Sequence, residues 1–234
     1  MPFSVFKPSG LGRFELFEKV TENIELSNQE VIEWSQVKKR FDVASNSASQ
    51  ANIKLLIDAE ESWMQRAADK LCTDLMAKYN QKKVVVFNTL QCYRWDRLDY
   101  LKEEHKKALA NGYKLGYKIV RGAYLEKENE RAEAMGYKSP ICETKEATDT
   151  CFNEVLNYIL NNYLETLKKY DFIIYTRFDQ FYTSRHIDIQ NNEKKIFDFA
   201  LEGIKLTIRG RQGFKNELKI SPTALEWLAK YKMR

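Results

Sequence analysis

No run of about 18 apolar residues occurs anywhere in the 234-residue chain, so a hydrophobic membrane-spanning helix is excluded. The first ten residues, MPFSVFKPSG, lack the basic-then-apolar layout of a secretory signal. They begin at once with strand-forming residues, as though an upstream portion were absent. Cysteine is scarce and badly spaced for metal. Cys72, Cys92, Cys142 and Cys151 form no CxxC pair, which argues against a zinc or disulfide framework and for reduced thiols in a cytosolic protein. Glycine is sparse too, and no GxGxxG follows any apolar run, so the dinucleotide-binding fingerprint is missing.

What remains is an ordinary globular composition, 44% hydrophobic and 30% charged, of a length that suits one or two domains. The net charge of +5 is unevenly placed: residues 1–160 balance, and the whole excess lies in residues 161–234. A basic segment of that size favours anionic partners but is far from a nucleic-acid-binding signature, and none is expected to bind.

Apolar runs alternate with amphipathic stretches through the first 160 residues. FSVFK (3–7) reads as a short strand ending in Lys7 and broken by Pro8-Ser9-Gly10. Leu11 to Val20 has helical spacing. Ser27 with Glu30 forms a capping-box signature for a helix to about Phe41, and the polar SNSASQAN (45–52) reads as a loop. IKLLI (53–57) and VVVF (84–87) are continuous apolar runs, as expected of strands buried on both faces. The first ends in Asp58-Ala59-Glu60-Glu61 and the second in Asn88-Thr89-Leu90-Gln91. Each precedes an amphipathic helix, and Asn111-Gly112 closes the later one. A strand through Ile119-Val120 follows and stops at Gly122, with Lys118 and Arg121 before it and Tyr124 after. A loop with Gly136 and Pro140 then leads to a helix from about Ala147.

This alternation predicts parallel βα units. Each of the four strands ends in polar chemistry at its carboxyl end: Lys7, then Asp58, Glu60 and Glu61, then Asn88 and Gln91, then Lys118 and Arg121. Such repetition is how a (β/α)8 barrel assembles its active site. The predicted fold class is therefore α/β, of (β/α)8 TIM-barrel type. Four units by residue 160 leave a tight 74 residues for the rest, so the barrel is expected to be incomplete or distorted. An open half-barrel exposes strand edges and apolar faces, which predicts a homo-oligomer.

The segments FKPSGLGRFELFEKV (6–20), LLIDAEESWMQ (55–65), VFNTLQCYRWDRLDYL (86–101), KIVRGAYLEKE (118–128) and GYKSPICETKEATD (136–149) together resemble the proline dehydrogenases, especially the single-function bacterial type. The resemblance implies a flavoprotein. FAD would lie over the carboxyl ends of the strands and oxidise L-proline to Δ1-pyrroline-5-carboxylate, with electrons passing to a membrane quinone. A cytoplasmic protein with peripheral contact at the inner membrane face follows from that partner. The resemblance places Lys7 beneath the substrate carboxylate and flavin, Asp58 beside the substrate, and Tyr124 packed at the proline and flavin. Gln91 would hydrogen-bond the flavin ring. Lys118 and Arg121 would meet the flavin and its phosphates, Gly122 and Ala123 would let the backbone approach, and Thr144 and Lys145 would touch the ribityl or adenosine end. No metal site is implied.

Beyond about Leu160 the likeness stops, which divides the chain into a barrel portion (1–160) and a divergent α/β tail (161–234). The Gly-Thr-His-Asn motif of the family is absent. Where the family has two adjacent arginines clamping the proline carboxylate, this chain has Arg209 and Arg211 flanking Gly210. FIIYTRFDQFY instead resembles, faintly, a segment of polysaccharide-type glycosyltransferases, the one reading in which Asp179 and His186 would bind a metal. The competing expectation is thus an inactive truncated barrel joined to an unrelated, glycosyltransferase-like segment.

Overall fold

A computed structural model describes residues 3–167. Four strands, β1 (Phe3–Phe6), β2 (Lys54–Ile57), β3 (Val86–Gln91) and β4 (Tyr117–Val120), form one parallel sheet in the order β1-β2-β3-β4. Six α-helices lie between and after them: α1 (Phe14–Thr21), α2 (Asn28–Gln50), α3 (Ser62–Tyr79), α4 (Arg97–Asn111), α5 (Leu125–Met135) and α6 (Lys145–Leu167). Sequential parallel strands with helical crossovers are consistent with part of a (β/α) barrel; among the described residues the sheet does not close. No helix among them is long and apolar enough to cross a membrane.

Register matters more for function than the strand count. Phe6 pairs with Ile57, and the Asp58 amide donates to the Phe6 carbonyl at 3.0 Å, so Lys7 and Asp58 leave the sheet side by side. Gln91 pairs with Val120, so the β3 and β4 ends also coincide.

The core explains the helices. Leu16 and Phe17 of α1, Val37 and Phe41 of α2 and Met64, Ala68 and Met76 of α3 are all buried around Ile57 and Val86. Phe41 meets Phe6 edge-on at 5.1 Å, and Phe17 meets Trp34 at the same separation. A second cluster of Leu90, Cys92, Leu101, Cys151 and Val155 seats α4 and α6 against β3 and β4.

Three boundaries differ from the sequence expectation, each for a physical reason. Residues 45–50 are helix, not loop. Ser45 is buried, its hydroxyl satisfied by the Phe41 carbonyl at 2.9 Å, and Ala48 extends the stripe Val37, Phe41, Ser45. The helix ends in a Schellman turn, with Asn52 left-handed (φ 55°) and the Ile53 amide on the Ala48 carbonyl at 2.9 Å. The expected capping box at Ser27 and Glu30 is present.

β3 does not stop at Phe87 but runs through Asn88-Thr89-Leu90-Gln91. These polar side chains find partners inside: Asn88 donates to Asp69 at 2.9 Å, and the Thr89 hydroxyl donates to the Ile57 carbonyl at 2.9 Å. Finally, α5 occupies part of the stretch read as loop. It is polar almost all round, only Glu128 and Ala132 being buried, so it shows no apolar stripe to detect. The left-handed Gly112 cap of α4 is as expected.

Asn80 ties the layers together. Its carboxamide oxygen accepts the Val85 and Val86 amides, both at 2.9 Å, and its nitrogen donates to the Val86 and Lys114 carbonyls. Asn80→Ala leaves these buried groups unpaired and is expected to destabilise the protein by about 3 kcal/mol, measured as a lower urea midpoint at unchanged m-value.

Candidate active site

The carboxyl ends of the four strands bring most of the expected residues together. Lys7, just past β1, donates to the Tyr124 hydroxyl at 2.8 Å and lies 5.5 Å from that ring's centre. Burial pulls the Lys7 pKa down, but the Tyr124 hydrogen bond and the charges of Glu60 and Asp58 outweigh it, and the net direction is up. Asp58, just past β2, is ion-paired with Lys118 of β4 across the sheet end; both are half-buried.

Gln91 closes β3 and is nearly fully buried. Its amide nitrogen donates to the Glu60 carbonyl at 2.7 Å and its oxygen accepts the Ala123 amide at 3.3 Å. Arg121, just past β4, donates through Nε to Asp149 of α6 at 2.5 Å, and Lys145 donates to the other oxygen of that carboxylate at 3.0 Å. Thr144 stands at the start of α6, where its hydroxyl accepts the Ala147 amide at 3.1 Å. Among the described residues its hydrogen bonds stay within the first turn of α6.

Gly122 and Ala123 link Arg121 to Tyr124 on an exposed turn. Gly122 has φ 136°, and a Cβ there would collide with the Tyr93 ring. The glycine is thus required twice, by its backbone conformation and by Tyr93 packing. Gly122→Ala is expected to cost about 1–3 kcal/mol of stability, read from urea unfolding.

Glu60, expected only as one of the polar residues closing β2, is buried and accepts both the amide and the hydroxyl of Ser9, at 2.8 and 2.7 Å, and so pins the turn after Lys7. Other residues around the strand ends were not singled out from the sequence. Beneath Glu60 runs a buried polar chain. The Glu60 amide donates to Gln65, Gln65 donates to Asp69 at 2.8 Å, and Asp69 also accepts from Asn88 and from Arg97 at 3.0 Å. Glu128 is fully buried and accepts the Ser62 amide and hydroxyl, both at 2.6 Å. Its carboxyl is pushed up by burial, against the lowering effect of those bonds. Polar residues inside the quoted segments were the only available signal: Asp69 lies between segments, whereas Arg97, Glu128 and Asp149 lie within them.

Arg97 also binds Asp96, at 2.8 and 2.6 Å, with Arg94 on the same carboxylate. Burial alone would raise the Asp96 pKa, but the bonds and charge of Arg97 and Arg94 outweigh it and hold it at about 2. A carboxyl depressed in the folded state stabilises the fold above its unfolded pKa, and the gain is lost as pH falls through the folded value. Stability should therefore drop between about pH 4 and pH 2. Asp96→Asn should be less stable at neutral pH and should flatten that acid slope in urea melts.

Asp179, His186, Arg209 and Arg211 of the divergent tail lie outside the described residues. Among the described residues no group of His, Cys, Asp and Glu could hold a metal ion.

The family model for proline dehydrogenase matches residues 13–175, and the chain belongs to the proline dehydrogenase family. It is 33% identical over 159 residues to the carbapenem antibiotics biosynthesis protein CarD of Pectobacterium carotovorum subsp. carotovorum, covering 68% of this chain and 41% of that one. It is 34% identical over 134 residues to human mitochondrial proline dehydrogenase 1, covering 57% of this chain and 22% of that one. The chain thus spans less than half the length of these relatives. Among solved structures, proline utilization A from Bdellovibrio bacteriovorus, inactivated by N-propargylglycine, superposes with a TM-score of 0.58 at 18% identity, covering 68% of this chain and 16% of that one. Proline utilization A from Corynebacterium freiburgense gives 0.53 at 22% identity, covering 67% and 16%. These likenesses establish the shared fold.

Proposed function

We propose that this protein is a flavin-dependent oxidoreductase that converts L-proline to Δ1-pyrroline-5-carboxylate. The observation that carries this reading is the pairing, at one edge of the sheet, of Lys7 with Tyr124 and of Asp58 with Lys118 in a chain of this family. Proline is a small zwitterion. Lys7 supplies cationic charge for its carboxylate, and the Tyr124 ring supplies an apolar wall for the pyrrolidine; Lys118 would meet the flavin from beside Asp58. Oxidation proceeds from the neutral amine, so the local carboxylate must not hold the ammonium too tightly. Asp58 suits that need because Lys118 already offsets its charge.

The residues also suit FAD. Arg121 and Lys145 stand partly exposed on the same carboxylate, a cationic pair fit for phosphates. Gln91 uses one amide hydrogen on Glu60, leaving the other for a ring acceptor. The flavin, when bound, supplies the two-electron acceptor. Gly122 and Ala123 keep the turn above β4 slim, and Thr144 and Lys145 open the helix that would flank the ribityl or adenosine end. The electrons would leave to a quinone, with the protein cytoplasmic and in peripheral contact with the inner membrane face. Four strands leave a sheet with two edges among the described residues, which supports self-association into a homo-oligomer.

The test is the visible spectrum of the purified protein before and after anaerobic L-proline. A flavin band that bleaches with proline supports the reading. A band that does not bleach points to a cofactor site without a working substrate clamp. A colourless protein that FAD does not reconstitute favours the inactive truncated barrel. In an active protein, Lys7→Ala should raise KM for L-proline at least about tenfold, by loss of a charge-assisted contact.

A further inference from the structure

The Arg121 guanidinium is held on two sides. Its Nε donates to Asp149 Oδ1 at 2.5 Å, and its plane lies over the Phe152 ring with the central carbon 4.7 Å from the ring centre. Both partners come from α6, three residues apart and so on one helical face. The second Asp149 oxygen takes Lys145 Nζ at 3.0 Å. Burial raises the Asp149 pKa, yet the bonds from Arg121 and Lys145 bring it below the ordinary aspartate value, so the carboxylate is charged at neutral pH.

The Lys145–Asp149 contact alone is a common exposed pair one turn apart, of little consequence. The Arg121–Asp149 contact is different, because it joins the end of β4 to α6 across 28 residues. An arginine anchored at Nε and stacked on an aromatic ring presents its two terminal nitrogens as a fixed fork, the geometry that matches phosphate oxygens. An unanchored arginine would first have to surrender its rotamer freedom.

We infer that Asp149 is a positioning residue: by gripping Arg121 against Phe152, it aims the guanidinium at the diphosphate of a bound dinucleotide flavin. This rests on the flavin reading above. Two effects of the carboxylate oppose each other. It orders Arg121, which favours the anion, but its own charge repels the anion. The inference requires the ordering effect to win.

The experiment is a titration of the full-length protein, stripped of flavin, with FAD, followed by quenching of flavin fluorescence. It uses the wild type, Asp149→Asn, Asp149→Glu, Arg121→Gln and the Arg121→Gln/Asp149→Asn double variant, each checked by near-ultraviolet circular dichroism. Asp149→Asn should weaken FAD binding about tenfold, the size of one charge-assisted contact. Asp149→Glu should recover most of that loss. In the Arg121→Gln background, Asp149→Asn should have almost no further effect, since there is no guanidinium left to aim. Unchanged or tighter binding in a folded Asp149→Asn protein, or equal losses in both backgrounds, overturns the inference while leaving the flavin reading intact. A folded wild type that takes up no FAD overturns the flavin reading, and the inference with it.

Discussion

A parallel ladder imposes one direction on every strand, and the candidate site depends on that constraint. Because β1 to β4 pair in order and in parallel, every carboxyl end emerges on one side of the sheet. Residues 7, 58 and 91 and the pair 118 and 121 are far apart in the chain and come from four different strand ends. Pairing Phe6 with Ile57 and Gln91 with Val120 brings them to one edge. A one-residue slip would exchange the two faces and break the Lys118–Asp58 pair, so register and function are specified together.

The edge alone would be soft, since exposed ion pairs contribute little. Its firmness comes from below. Asp69, nearly fully buried on α3, gathers Gln65, Asn88 and Arg97, and through Gln65 holds the Glu60 amide. Glu60 in turn restrains Ser9 and Gln91. Loops carrying Lys7 and Asp58 are therefore fastened to α3, α4 and β3 by satisfied, buried bonds, where each bond is stronger than in water.

The strand ends are legible in the chain because buried strands are written as unbroken apolar runs, and the change to polar residues is abrupt. Legibility fails where polar residues are buried. Ser45 and Asn88 look like loop residues until their partners, the Phe41 carbonyl and the Asp69 carboxylate, are known. Those partners lie across a helical turn or on another element, which local pattern does not reveal. The helix α5 escapes detection because Glu128, a charged residue, occupies its inward face. Lys7, Asp58, Gln91, Lys118, Arg121 and Tyr124 stand out through resemblance, while Asp149 emerges only from its contacts with Arg121 and Lys145.

Glu128 has a consequence for how the chain assembles. The first turn of any helix carries amide groups with no partner inside the helix. In α3 the Ser62 amide is satisfied by Glu128, a residue 66 positions later. Glu61, the residue at the local cap position, makes no side-chain capping bond; its carboxylate takes Lys127 instead. The fourth βα unit is therefore wired back into the second: the Ser62 amide at the start of α3 has no side-chain partner until β4 is in place and α5 has docked. Docking brings the β4–α5 turn with it, and Tyr124 lies in that turn. The same carboxylate that finishes the helix start thus couples completion of the scaffold to arrival of Tyr124 opposite Lys7, so a chain that has gathered only its first three strands lacks both at once.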